Sequence, residues 1–234
     1  MWFVVVTALA PPLRDVAVVV SLNARGVSTS TIETAKSLIP PDDVFVTADL
    51  EEAATAARSI VARGYSTVVS CGGDGTLAAA ISHMCAASSL EALPRFVALP
   101  LGTGNAVARY VLGPRYRRWA GARGVRRALE RLQHPVDEIT VPVMRVDATD
   151  DLCFLGGCGF DSYILDDYKR LKDRVKKVPV LRRILSSVFG YFVATATATL
   201  PRYATGERRL RVRVSSNASV VYVDPRRGDA ALPV

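Results

Sequence analysis

Two glycine-rich turns carry the clearest chemistry in this chain: CGGDGT at 71–76 and LPLGTGN at 99–105. Gly72, Gly73 and Gly75 can take backbone angles closed to other residues, so successive N–H groups can converge on an anion. Asp74 sets a carboxylate inside the first turn, able to hold a metal ion or a hydroxyl. In the second turn Gly102 and Gly104 flank Thr103, whose hydroxyl can bond a phosphate oxygen or close the loop. Asn105 can hold that loop or cap the next helix. A tight strand-to-helix turn with a capping Asp is the plain alternative for GGDGT alone. A second turn about one βα unit later favours a phosphate or nucleotide site. Neither turn is a Walker A loop, because the Lys-Ser/Thr pair is absent, and GGDGTL lacks the GxGxxG spacing of a dinucleotide fingerprint.

The elements that must position these turns are legible in the pattern. VAVVVSL (16–22) is a buried-strand run, and STIETAKSL (30–38) reads as helix, with Ser30 and Glu33 at capping-box spacing. DVFVTA (43–48) is a second strand, after which Asp49 can cap a helix that Gly64 closes. STVVSC (66–71) and FVALP (96–100) are further strands. The helices LAAAISHMCAA and AVARYVL follow the two glycine turns. This βα alternation implies a Rossmann-like α/β domain, a parallel sheet covered on both faces, over residues 1–135. A basic helix, roughly 121–133, ends at His134 and Pro135, where the pattern changes. VDEITVPVMRVDAT and LCFLGGCGF read as adjacent antiparallel strands, followed by a basic helical stretch (163–185), an apolar helix (186–200), and a hairpin joining RRLRVRVSS to ASVVYVD around Asn217. Residues 136–234 are therefore expected to form a β-rich second domain that is incomplete.

Composition sets the bounds. The 234 residues, half of them hydrophobic, can bury one large core or two modest ones. An excess of 30 Lys and Arg over 22 Asp and Glu suits an anionic partner, although a solvated basic face is as common. Cys71, Cys85, Cys153 and Cys158 make no CxxC pair and read as reduced, packed thiols of an intracellular protein. The opening MWFVVVTALAPPL lacks a basic n-region and stops at Pro11-Pro12, so a first strand or ragged terminus is expected rather than a signal peptide. The apolar stretch at 186–200 is too short to span a bilayer. A cytoplasmic protein, soluble or attached to a membrane surface, is the expectation.

The segments VVSCGGDGTLAAAI and VALPLGTGNAVARYVLG resemble the catalytic domain shared by diacylglycerol kinases, sphingosine kinases and bacterial lipid kinases. GGCGFDSYIL (156–165) is similar to the glycine-rich turn that opens the family's second domain, and VSLNARG (20–26) sits at its first phosphate loop. The resemblance covers about residues 14 to 200. It implies ATP- and Mg²⁺-dependent transfer of the γ-phosphoryl group to a lipid hydroxyl, of diacylglycerol or a sphingoid-type alcohol. Carried over by position, Asn23 and Thr47 line the nucleotide site, Gly72 to Thr76 hold the phosphates, and Thr103 contacts nucleotide from the second turn. Asp74 acts in catalysis, through Mg²⁺ or by orienting the acceptor, so Asp74→Asn is expected to keep the fold and abolish turnover. NAD kinases share GGDGT with a different second motif, which leaves an NAD kinase-like enzyme as the alternative. A non-catalytic nucleotide- or lipid-binding relic is the other.

Three departures from the family stand out. The first loop reads Asn23-Ala24-Arg25-Gly26, without the usual proline. Ala106 stands where many bacterial members have Asp. The sequence stops before the family's late Asp-Gly-Glu segment, so the chain is expected to be a fragment, and Arg227-Gly228-Asp229 is no substitute for it. Asp161 either approaches the cleft or caps the helix behind Gly159. The basic run from Lys169 to Arg183 reads as a solvated helix face, with docking to an anionic membrane as the alternative. Nucleic acid is not expected, since no recognition motif appears and aromatics are not interleaved with the basic residues.

Overall fold

The computed structural model describes residues 2–7, 15–134, 138–146, 151–156, 159–175, 178, 181, 184–185, 188–205, 220–224 and 228–232. Seven strands form the main sheet: β1 (Trp2–Thr7), β2 (Val16–Ser21), β3 (Val44–Thr47), β4 (Thr67–Gly72), β5 (Arg95–Pro100), β6 (Glu138–Val146) and β7 (Asp151–Cys153). Their order is β3-β2-β4-β5-β1-β6-β7. The first four in that order are parallel, β1 continues parallel beside β5, and β6 and β7 are antiparallel.

Continuous apolar runs make the central strands because they are buried on both faces. Along β2, Val16, Val18 and Val20 enter one core, where they meet Ala35 of helix α1 (Thr29–Leu38) and Val125, Ala128 and Leu129 of α5 (Gly121–Arg131). Ala17 and Val19 enter the other core. There they meet Ala57 and Ile60 of α2 (Leu50–Arg63) and Leu77, Ala80, Ile81 and Met84 of α3 (Asp74–Ala87). The short α4 (Ala106–Leu112) adds Val107 and Ala108 to this second core. Removing a fully buried side chain such as Ile60 or Phe96 down to Ala would cost about 2–5 kcal/mol.

Local signals explain the helix ends, with one shift. Asp49 caps α2, its Oδ1 accepting from the Glu52 N–H at 2.8 Å, and Gly64 closes the helix at φ 68°. The α1 cap lies earlier than Ser30. Ser28 takes that position, and its N–H donates to Thr31 Oγ1 at 3.2 Å. Ser30 is already inside the helix, so it and Glu33 cannot form the box expected of them.

The N-terminal apolar run is the strand β1. It pairs with β6 from Trp2↔Val143 to Thr7↔Glu138. This pairing draws residues beyond 135 into the first sheet, and the compact unit runs from Met1 to Gly156, past the change in sequence pattern near 135. The second unit, Gly157–Val234, holds α6 (Phe160–Arg174), α7 (Val188–Ala194), a π turn (Thr195–Thr199) and α8 (Leu200–Ala204). Inside it, Tyr168 stacks on Tyr191 with ring centroids 3.9 Å apart. The buried Asp167 carboxylate accepts from Thr199 Oγ1 at 2.9 Å and from Arg202 Nη1 at 2.6 Å. The unit also contains an antiparallel pair, β8 (Val220–Asp224) and β9 (Gly228–Leu232). Among the described residues β8 pairs with β9, and the segment RRLRVRVSS expected to pair with it lies outside the described residues. Gly159 starts α6 at φ 71°, and Asp161 is exposed in the first turn rather than at the cap. No helix of the described residues is long and apolar enough to cross a membrane.

Candidate functional site

The chain leaves β2 toward β3 on one side and leaves β4 toward β5 on the other. Crevices open at such switch points, beyond the carboxyl ends of the diverging strands. A cavity of about 190 Å³ lies there, and its walls include Asn23, Thr47, Gly75 and Thr76. These four sequence-predicted residues come from the loop after β2, the end of β3 and the first turn of α3. Ser21 and Asp49 also line it, as do Ala53, Ala57, Ala80 and Met84 of the two helices above. Sequence reading missed Ser21, although a lone hydroxyl ending an apolar strand is a usable signal. Asp49 was read only as a cap.

The loop after β2 is tied on both sides. The Leu22 N–H donates to the Thr47 carbonyl at 2.9 Å, and Asn23 Nδ2 donates to the Ala48 carbonyl. On the other side the Gly26 N–H donates to the Leu101 carbonyl at 2.7 Å. A Cβ on Gly26 would lie 2.9 Å from that same oxygen, so the missing proline of this loop is matched by a required glycine.

The GGDGT segment is less loop and more helix than its composition indicates. Gly73 is the N-cap, and Asp74, Gly75 and Thr76 form the first turn of α3. The first N–H groups of a helix have no partner within it and present partial positive charge, which suits a phosphate. The glycines divide by role. A Cβ on Gly102 would stand 2.4 Å from Gly73 Cα, so the two turns touch backbone to backbone. A Cβ on Gly72 would stand 2.3 Å from Thr76 Oγ1. Gly75 alone of the first turn's glycines has nothing within 4 Å on its Cβ side, and it lines the cavity.

Asp74 joins the two turns. Its Oδ2 accepts from the Ala106 N–H at 2.9 Å and its Oδ1 from the Val107 N–H at 3.0 Å, both at the start of α4. Asn105, in the left-handed region at φ 54°, closes the second turn by bonding Gly102 twice. Its Oδ1 accepts from the Gly102 N–H and its Nδ2 donates to the Gly102 carbonyl, each at 2.8 Å. Thr103 and Gly104 are exposed at the tip. The structure therefore brings the predicted residues together as two groups. One walls the cavity, and the other (Gly72, Gly73, Gly102, Asn105 and the Asp74 carboxylate) holds the turns in place.

A larger recess of about 540 Å³ lies along β3 and α2. Glu51 and Glu52, which line this recess and not the smaller cavity, make it the poorer place for a phosphate. Among the described residues no group of three or more His, Cys, Asp or Glu could hold a metal ion. Asp74 fits Mg²⁺ in a different way, as one carboxylate with lone pairs remaining after two N–H bonds, since Mg²⁺ often takes its other ligands from phosphates and water.

Fold and site together define a doubly wound α/β domain with paired glycine turns at its switch point. The profile of the diacylglycerol kinase catalytic domain matches residues 18–141, more than half of the chain. The chain belongs to the diacylglycerol kinase catalytic domain family. No curated protein and no solved structure matches it significantly.

Proposed function

We propose that the chain binds ATP in the switch-point cavity and serves an ATP- and Mg²⁺-dependent lipid kinase. The acceptor would be the hydroxyl of diacylglycerol or of a sphingoid-type alcohol. The observation that carries this reading is the convergence of Asn23, Thr47, Gly75 and Thr76, from three separate segments, on one cavity at the N-terminus of α3.

In the reaction the bond from the γ-phosphorus to the β–γ bridging oxygen breaks. ADP departs with that oxygen, a bond from the γ-phosphorus to the lipid oxygen forms, and the hydroxyl proton passes to solvent. Such a transfer needs positioning and charge stabilisation more than covalent chemistry. Gly75 leaves room for phosphates beside the α3 amides, Thr76 and Thr47 offer hydroxyls, and Asn23 fixes the rim through Ala48. Thr103, exposed at the tip of the second turn, is the residue proposed to meet the ligand from that side. Asp74 is the residue proposed for catalysis and for Mg²⁺, which when bound would neutralise phosphate charge. Its two bonds to α4 hold the carboxylate in one orientation.

The test is transfer of label from γ-labelled ATP in detergent micelles containing diacylglycerol or sphingosine, with NAD as a parallel acceptor. Labelled lipid supports the proposal. Labelled NAD with unlabelled lipid would move the assignment to an NAD kinase-like enzyme. Nucleotide binding with no transfer to either acceptor would favour a binding protein.

A further inference from the structure

Positive charge gathers in two stretches, residues 106–134 and 169–183, each with eight Lys and Arg against one Asp or Glu. Residues 106–134 hold eight of the 30 Lys and Arg and one of the 22 Asp and Glu, a net charge of +7. All eight are arginines: Arg109 on α4, Arg115, Arg117 and Arg118 on the 3-10 turn Gly113–Trp119, and Arg123, Arg126, Arg127 and Arg131 on α5. Every one of them is exposed. Among the described residues the single carboxylate near any of them is Glu130, 4.0 Å from Arg126. The run 169–183 only begins on α6, whose four bases face four acids, and its Lys176, Lys177, Arg182 and Arg183 lie outside the described residues.

Aromatic rings are interleaved with these arginines, contrary to the sequence reading, and they organise them. Tyr116 lies between Arg109 and Arg117, whose guanidinium carbons stand 5.7 and 5.9 Å from its ring centroid. Arg127 lies 5.7 Å from the Trp119 ring centroid, and its Nη1 donates to the Arg118 carbonyl at 2.7 Å. Stacked guanidinium groups lose less freedom when they bind phosphate, and their planar fork suits two phosphate oxygens at once. The apolar face of α5 is already spent on the core through Val125, Ala128 and Leu129.

We propose that this arginine layer docks the protein on the phosphate groups of an anionic phospholipid bilayer. The choice of a bilayer rests on the lipid-kinase reading above. Three features favour it over nucleic acid. Tyr116 and Trp119 have guanidinium groups over their rings and are poor platforms for stacking bases. Groove readout needs a projecting element with base-reading side chains, whereas α5 lies against the sheet. Tyr110, 68% exposed beside Arg109, has the amphipathic ring that settles at a membrane interface.

The experiment is co-sedimentation of the full chain with vesicles of phosphatidylcholine, with and without phosphatidylglycerol, at low and high NaCl. Binding should require phosphatidylglycerol and fall with salt. Replacing Arg115, Arg117 and Arg118 by Gln should lower the partition coefficient roughly 100-fold, at about a tenfold or somewhat smaller factor per basic residue near the surface. The same three changed to Lys should retain most of the binding. Should the Gln variant fail to fold by circular dichroism, Arg123→Gln with Arg126→Gln on the outer face of α5 gives the same reading, with roughly a 10- to 30-fold loss. Unchanged partitioning in either folded variant would overturn the proposal, as would tighter binding to an RNA or DNA oligonucleotide than to anionic vesicles. The assay contains no ATP, so docking without phosphorylation would count against the kinase reading alone. Phosphorylation in micelles without docking would count against the arginine layer alone.

Discussion

The Asp74 carboxylate spans the two glycine turns, one oxygen bonded to the Ala106 N–H at 2.9 Å and the other to the Val107 N–H at 3.0 Å. It is both the acid proposed for catalysis and a cap on α4. Asp74→Asn is therefore expected to lower stability as well as turnover while the fold is kept. An amide can accept only one of the two bonds and points a donor at the other N–H. The loss should be about 1–3 kcal/mol, visible as a lower melting temperature, together with the loss of turnover. An Asp74→Asn variant with wild-type stability would show that the bonds to α4 contribute little.

Backbone contact between the turns gives a second prediction. The Cβ of Gly102→Ala would stand 2.4 Å from Gly73 Cα, where only movement of backbone can relieve the clash. Overpacking of this kind costs about 1–3 kcal/mol. Urea unfolding should register it as a lower midpoint, and nucleotide affinity should fall with it as the turns separate. An unchanged midpoint would mean that the turns do not touch.

The α/β core was legible in sequence because its strands are buried on both faces, so runs such as Val16 to Val20 read as continuous apolar segments. Asp49 and Gly64 were legible because a cap acts within one turn of chain. The second role of Asp74 was not, since its partners lie 32 and 33 residues away and are backbone amides that any sequence would supply. The shift of the α1 cap to Ser28 follows from a serine- and threonine-rich stretch in which several positions could serve. The arginine layer was seen only as one basic helix. Its members are spread over α4, the 3-10 turn and α5, and only the fold shows all of them exposed.

Burial of Cys71 yields a prediction on pH. The thiol lies near the carboxyl end of β4, fully buried, and burial pushes its pKa up to about 12 from 9.0. The folded state therefore holds its proton where the unfolded state releases it. That stabilisation is complete below about pH 9 and is lost as pH rises toward about 12. The slope is about 1.4 kcal/mol per pH unit for one group. Tyr65, raised first by burial and then by its bond to Asp43, acts with the same sign at higher pH. Denaturation curves above pH 9 should be flatter for Cys71→Ala than for the wild type. Equal slopes would contradict the burial of this thiol.

Nucleotide binding at the switch point is tested most directly at Gly75. Its Cβ position is open, it lines the cavity, and it lies in the first turn of α3, where a side chain is tolerated. Calorimetric titration with Mg·ATP should show saturable binding to the wild type. Gly75→Val, with its melting temperature within a few degrees of the wild type, should show at least about a tenfold loss of affinity, roughly 1.4 kcal/mol. Equal affinity for the two proteins, or no saturable binding to the wild type, would contradict the assignment of this cavity to ATP.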